Sequence, residues 1–216
     1  MNTAIIISGG KIDSDFALTF LREHPYRYLI AADRGLLFLK SAGIFPTHIV
    51  GDFDSAGEEA AKEYGQYPEI EIHRCRPEKD DTDTHLALNL AMELGCGQIF
   101  LLGCTGTRLD HVIASVRDLH FALERGIPCA LVDAHNRMRL VDRTLTISKA
   151  EQYGKYVSLY AMGGPVEGLT LEGFAYPLTD YRMEGISSLG TSNEINAENA
   201  TITLKKGILL VVESKD

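Results

Sequence analysis

His48-Ile49-Val50-Gly51-Asp52-Phe53-Asp54-Ser55 is an apolar run of strand length that stops at a glycine and is followed at once by two carboxylates. A short run that is continuously apolar, rather than alternating, reads as a strand buried on both faces of a parallel sheet. In such sheets ligands bind beyond the carboxyl ends of the strands, so Asp52 and Asp54 stand where chemistry is expected. If Phe53 turns into the core, both carboxylates can face one cation. Hard oxygen donors of this kind suit Mg2+, which takes its remaining ligands from water and substrate phosphates. Ser55-Ala56-Gly57-Glu58 also matches a capping box with Ser55 as N-cap, but capping accounts for neither aspartate.

The same pattern extends on both sides of this stretch. Residues 4–8, 28–32, 70–74, 99–102 and 129–132 join 48–51 as candidate strands. Between them, 16–21, 36–39, 56–64, 86–94 and 112–123 carry apolar residues at spacings of three and four, the helical period. Strands interleaved with helices predict an α/β fold with a mainly parallel sheet and helices on both faces. Beyond Asp133 the pattern changes. Residues 145–147, 156–161, 166–171, 201–204 and 208–212 are short apolar runs separated by turn material such as Gly163-Gly164-Pro165 and Glu172-Gly173. This predicts a small all-β sandwich or partial barrel. The expected domains are 1–135 and 136–216, parted at the polar stretch Asp133-Ala134-His135-Asn136-Arg137.

The chain has 216 residues, 45% hydrophobic and 24% charged, so disordered and fibrous classes are excluded. No apolar run approaches the ~18–20 residues of a membrane span. The first residues lack the basic flank and long apolar core of a signal peptide, so a cytoplasmic protein is expected. Net charge is −9, and residues 52–83 hold eleven acids against four bases. A binder of nucleic-acid backbone needs the opposite sign. The acid concentration is either a solvated surface or a cation site. Cys75, Cys96, Cys104 and Cys129 show no metal-ligand spacing and read as free thiols in a reducing compartment.

Three further segments could serve a site at the strand ends. Asp80-Asp81-Thr82-Asp83-Thr84-His85 precedes a helical pattern with more acid than helix-dipole complementation requires. Asp83 falls on one helical face with Leu86, Ala87 and Leu90, which aims its carboxylate toward the strand ends, while His85 reads as a local partner. Gly103 to Asp110 is a strand end, a loop with two glycines and a helix start, suited to anions, with Arg108 as a charged fork. Neither a Gly-x-x-x-x-Gly-Lys phosphate loop nor a Gly-x-Gly-x-x-Gly fingerprint occurs. Asp33, in Ala32-Asp33-Arg34-Gly35, is a further acid at a strand end, or a simple helix cap. Gly190-Thr191-Ser192-Asn193-Glu194 is a turn or a ligand loop. Together these are the tools of phosphoryl or diphosphoryl transfer; they do not identify the acceptor.

Read in order, Ala32-Asp33-Arg34-Gly35, Gly51-Asp52-Phe53-Asp54-Ser55, Asp80-Asp81-Thr82-Asp83, Gly103 to Asp110 and Gly190-Thr191-Ser192-Asn193 resemble the thiamine pyrophosphokinase (thiamine diphosphokinase) family. The resemblance implies an α/β catalytic domain followed by a β-sandwich. It implies that ATP and thiamine give thiamine diphosphate and AMP in the cytoplasm, without nucleic acid or membrane. By the same analogy Asp52, Asp54 and Asp83 hold Mg2+ and do the catalytic work, with Asp80 beside them. Asp33, Thr107, Arg108 and Asp110 contact ATP. Thr191, Ser192 and Asn193 form a thiamine pocket at a homodimer interface. The chain has no tryptophan, so any stacking on thiamine falls to tyrosine or phenylalanine. Two other classes share features with it: Asp-x-Asp phosphatases that form an aspartyl-phosphate, and a non-catalytic thiamine or nucleotide sensor.

Overall fold

The computed structural model describes residues 2–53, 57–75, 81–106 and 108–216. They form two compact units, Met1–Ala134 and His135–Asp216.

The first unit alternates strands and helices: β1 (Thr3–Ile7), α1 (Ser14–Glu23), β2 (Tyr28–Ala32), α2 (Gly35–Ala42), β3 (His48–Gly51), α3 (Glu58–Tyr64), β4 (Glu71–Arg74), α4 (Asp83–Glu93), β5 (Gln98–Leu102), α5 (Leu109–Glu124) and β6 (Cys129–Val132). The strands are parallel and lie in the order β4-β3-β2-β1-β5-β6. Ile5 and Ile6, and likewise Ile30 and Ala31, are fully buried. Neighbouring residues on a strand point to opposite faces, so helices cover both sides of the sheet. Each of these isoleucines contributes about 1.5–3 kcal/mol by leaving water. Asp13 caps α1 by accepting from the Phe16 N–H at 2.9 Å, and Thr82 caps α4 by accepting from that of His85 at 3.1 Å.

Two local expectations change. Helix α3 starts at Glu58 with Gly57 as N-cap and no side-chain cap. The capping-box reading therefore does not hold, and Ser55 itself lies outside the described residues. The buried stripe of α4 is Ala87, Leu88 and Ala91, not Leu86, Ala87 and Leu90. Because Thr84 stands on the turn before Leu88, it faces the sheet, where its hydroxyl meets Ser8 at 2.9 Å.

The second unit contains β7 (Asn136–Val141), β8 (Leu145–Ser148), β9 (Tyr156–Glu172), β10 (Leu178–Met183), β11 (Asn193–Glu194), β12 (Asn199–Thr203) and β13 (Lys206–Ser214), all paired antiparallel. Gly163-Gly164-Pro165, expected to be a turn, lies inside the 17-residue β9. Before it, β9 pairs with β13 over Tyr156 to Met162; after it, β9 pairs with β10 and β12, and β13 touches it again only at Glu167. One strand thus bends and serves two sheets, as strands do at sandwich corners. Val157 and Leu159 from the first half of β9, Leu169 and Leu171 from the second, and Val211 of β13 fill the core between them.

Asn136 and Arg137, the last residues of the polar stretch, open strand β7 for an electrostatic reason. Arg137 and Arg139, two apart on β7, both pair with Glu213 of β13, whose side chain is fully buried. Its carboxylate accepts from Arg137 Nη2 at 2.7 Å and Nε at 2.8 Å, Arg139 Nη2 at 2.8 Å and the Tyr153 N–H at 3.0 Å. All its lone pairs are engaged. Among the described residues, no helix is long and apolar enough to cross a membrane.

Candidate active site

The strand order reverses between β1 and β5, the position where open α/β sheets form a crevice. The loops leaving these strands are hydrogen-bonded together. Ser8 N–H donates to Leu102 O at 2.8 Å, Gly10 N–H to Gly103 O at 2.7 Å, and Lys11 N–H to Thr105 O at 2.8 Å. Gly10 is required by this approach, since a Cβ there would lie 2.4 Å from Gly103 O and 2.5 Å from Thr105 O. Gly35, the first residue of α2, is tighter still: its Cβ would lie 1.9 Å from Ile7 O.

Beside this crevice, Asp33, Asp52 and Asp83 each present a carboxylate oxygen, and the three atoms lie within 4.8 Å of one another. Each comes from a different element. Asp33 follows β2 with φ 48° and donates its N–H to Val50 O at 2.9 Å, which ties it to β3. Asp52 follows β3. Phe53 then takes φ 53°, and its ring is buried at 4% exposure with the Arg74 guanidinium 5.2 Å from its centroid. The condition that Phe53 turn inward is therefore met. Asp83 is the first residue of α4, oriented by the Thr82 cap. Two carboxylates ~5 Å apart repel by about 3 kcal/mol at an effective dielectric of ~20. Three half-buried carboxylates at this spacing are suited to a cation, and an all-oxygen donor set fits a hard ion such as Mg2+.

The structure places the other expected residues variously. Asp54, Asp80 and Thr107 lie outside the described residues. Arg108 and Asp110 form an exposed pair at the start of α5, with contacts of 2.5 and 3.2 Å. The hydrogen bond from Arg108 holds the Asp110 carboxyl below its usual range. His85 is a local partner: its Nδ1 lies 2.8 Å from Asp118, a carboxyl that burial raises against the pull of His85. Cys104, in the β5 loop, is buried, and desolvation pushes its thiol to about 11. The four cysteines are free, two of them buried and two half-buried.

In the second unit, Thr191 and Ser192 are exposed and Asn193 is buried. Ser192 N–H donates to Ser158 Oγ at 2.9 Å. Asn193 Oδ1 accepts from the Tyr176 and Glu194 N–H groups, and its Nδ2 donates to Tyr176 O at 2.8 Å. The carboxamide therefore clamps the backbone of Tyr176, whose own side chain is exposed.

The family model for the catalytic domain of thiamin pyrophosphokinase matches residues 22–131, and that for its vitamin B1 binding domain matches residues 143–209. The chain belongs to the thiamin pyrophosphokinase family. It is 31% identical to thiamine pyrophosphokinase of Bacillus subtilis over 217 residues, covering 100% of both chains. A crystal structure of the Bacillus subtilis thiamine pyrophosphokinase superposes with a TM-score of 0.87 at 30% identity, covering 100% of both chains. That of thiamin pyrophosphokinase from Geobacillus thermodenitrificans gives 0.83 at 30% identity, covering 100% of this chain and 98% of that one. The Candida albicans thiamin pyrophosphokinase, 16% identical, shares the fold with a TM-score of 0.82, covering 99% of this chain and 89% of that one. Membership in the thiamin pyrophosphokinase family favours neither the aspartyl-phosphate phosphatase nor the sensor. Sequence reasoning missed the loop Ser8-Gly9-Gly10-Lys11 of this family member; its signal was the pair of glycines directly after the first strand.

Proposed function

We propose that this chain moves the diphosphoryl group of ATP to the hydroxyl of thiamine, releasing AMP, at the strand ends that carry Asp33, Asp52 and Asp83. The observation that carries this reading is the convergence of those three carboxylates within 4.8 Å in a member of the thiamin pyrophosphokinase family. Asp33, Asp52 and Asp83 would hold Mg2+, and by family resemblance Asp54 and Asp80 would serve the same ion and its ATP. When bound, the ion supplies positive charge that lets a polyphosphate approach an acidic cluster. The hydroxyl oxygen bonds to the β-phosphorus while the bond from that phosphorus to the AMP oxygen breaks. A carboxylate oxygen of Asp83 accepts the hydroxyl proton. The β1 and β5 loops, Thr107, Arg108 and Asp110 hold ATP in line, and this positioning supplies most of the acceleration.

In the second unit Thr191 and Ser192 line the thiamine pocket. Asn193 holds in place Tyr176, which at 70% exposure offers the aromatic face that tryptophan would otherwise supply. We place this pocket at a homodimer interface, where the second unit of one protomer meets the acid cluster of its partner. Leu109 and Ile113 in the first unit, and Ile186 and Leu189 in the second, are exposed apolar side chains available for pairing. The reaction belongs in the cytoplasm, where ATP is available. Incubation with ATP, Mg2+ and thiamine should release AMP in step with thiamine diphosphate. ADP as the nucleotide product, or turnover that does not depend on thiamine, would overturn the reading.

A further inference from the structure

A second group of ligand atoms lies at the other end of β3. His48 begins this strand, whereas Asp52 follows its last residue, so the two clusters stand about 13 Å apart at ~3.3 Å per residue. Strand β4 is the edge of the sheet and pairs with β3 in the register His48 to Glu71 and Val50 to His73. Glu71 and His73, two residues apart, therefore share a face with His48. Their ligand atoms lie within 4.8 Å of one another.

The details are those of a coordination site rather than a hydrogen-bonded cluster. The same Glu71 oxygen, Oε2, lies 3.8 Å from His48 Nε2 and 3.9 Å from His73 Nε2, too far for a hydrogen bond. Both Nε2 atoms are buried and have no hydrogen-bond partner among the described residues. The His48 residue is only 4% exposed. Its far nitrogen is held from behind: Thr47 Oγ1 lies 2.9 Å from His48 Nδ1 and 3.0 Å from both the carbonyl oxygen and the amide nitrogen of Leu29. When the Thr47 hydroxyl donates to Leu29 O, it accepts from Nδ1–H, and Nε2 then presents a bare lone pair. A histidine fixed through its far nitrogen in this way is the usual outer support of a metal ligand.

We propose that His48 Nε2, His73 Nε2 and the Glu71 carboxylate bind a divalent transition-metal ion of the zinc class, separate from the acid cluster. Ligands ~2.0–2.1 Å from zinc in a tetrahedron stand about 3.4 Å apart, close to the 3.8 and 3.9 Å from Glu71 Oε2 to the two Nε2 atoms; closing the set also turns the His73 ring, which lies 17° from parallel with that of His48 at 5.7 Å between centroids. Imidazole donors select such ions over Mg2+. The ion would link β3 to the edge strand β4, leaving a position for water.

The test is zinc titration of the purified protein in excess MgCl2, with a chromophoric chelator as competitor and thermal unfolding as a second readout. One zinc per chain and a raised Tm are expected. His73→Gln and Glu71→Gln, both at accessible positions, should weaken binding at least ~100-fold and abolish the Tm rise. Thr47→Val should weaken it ~10–100-fold while leaving all three ligands in place. Asp52→Asn and Cys75→Ser should bind zinc as the unaltered chain does. Absence of zinc binding in MgCl2, full affinity in both His73→Gln and Glu71→Gln, or loss of binding in Asp52→Asn or Cys75→Ser would each overturn the assignment.

Discussion

Asp33 and Phe53 both hold positive φ angles, 48° and 53°, at the ends of adjacent strands. For a phenylalanine this conformation costs of order 1–3 kcal/mol, and such strain gathers at functional sites. Here it turns one ring into the core and leaves the flanking carboxylate at the crevice. Asp52→Asn and Asp83→Asn should each lower turnover at least ~100-fold, equivalent to about 2.7 kcal/mol in the barrier, with far-UV circular dichroism unchanged. Near-normal kcat in either variant removes that residue from the catalytic set. Gly10→Ala should cost about 1–3 kcal/mol in denaturant unfolding, because its methyl group meets a carbonyl that is itself hydrogen-bonded. A ΔΔG near zero would show that the two loops part more easily than their bonds suggest. At this scale the sequence was informative where chemistry was unusual for its setting, as with Asp52 and Asp83 beside apolar runs. Asp33 could equally cap a helix, and its place beside the other two depends on β2 lying next to β3, which no local pattern encodes.

Strand β7 shows how an element can be hidden by its own charges. Arg137 and Arg139 break the apolar signature, and only their partner Glu213, more than seventy residues away, explains why they enter a sheet. Strands β1, β2 and β3 were legible because both of their faces are buried and their runs are almost wholly apolar. In the second unit the runs of β9 were legible, but their continuity through Gly163-Gly164-Pro165 was not, because a glycine-proline bend within a strand looks like a turn between two. Strand β10 was missed for a similar reason: four of its six residues are polar or charged. Removing the Glu213 charge should be costly. Glu213→Ala leaves two guanidinium groups facing each other, and equilibrium unfolding should register a loss of about 3–5 kcal/mol. The pH dependence follows from the same geometry. Burial alone would raise the Glu213 carboxyl, but the Arg137 hydrogen bonds, the Arg139 charge and the Tyr153 N–H outweigh it and hold the group below the ordinary value of 4.5. The unfolded chain therefore takes up this proton first on acidification. The stabilisation is complete above about pH 4.5 and declines as pH falls through the folded value. Acid titration of stability should show this decline in the unaltered chain and a shallower one in Glu213→Gln. Parallel acid limbs would mean that Glu213 does not carry it.

At the scale of the molecule, a site shared between protomers has a signature that a self-contained site lacks. Asp83→Asn damages only the first unit, and Thr191→Trp only the second. Mixed and allowed to exchange subunits, the two inactive proteins should regain about a quarter of normal activity, because each heterodimer rebuilds one intact site. Sedimentation should show a dimer. A monomer, or no recovery on mixing, would confine each site to a single chain. The pairing of β7 with β13 has a different consequence. Asn136 is the register partner of Ser214, so the second unit begins and ends side by side. A unit with adjoining ends is a cassette: it can be circularly permuted, or spliced into a surface loop of another protein, without its sheets being reordered.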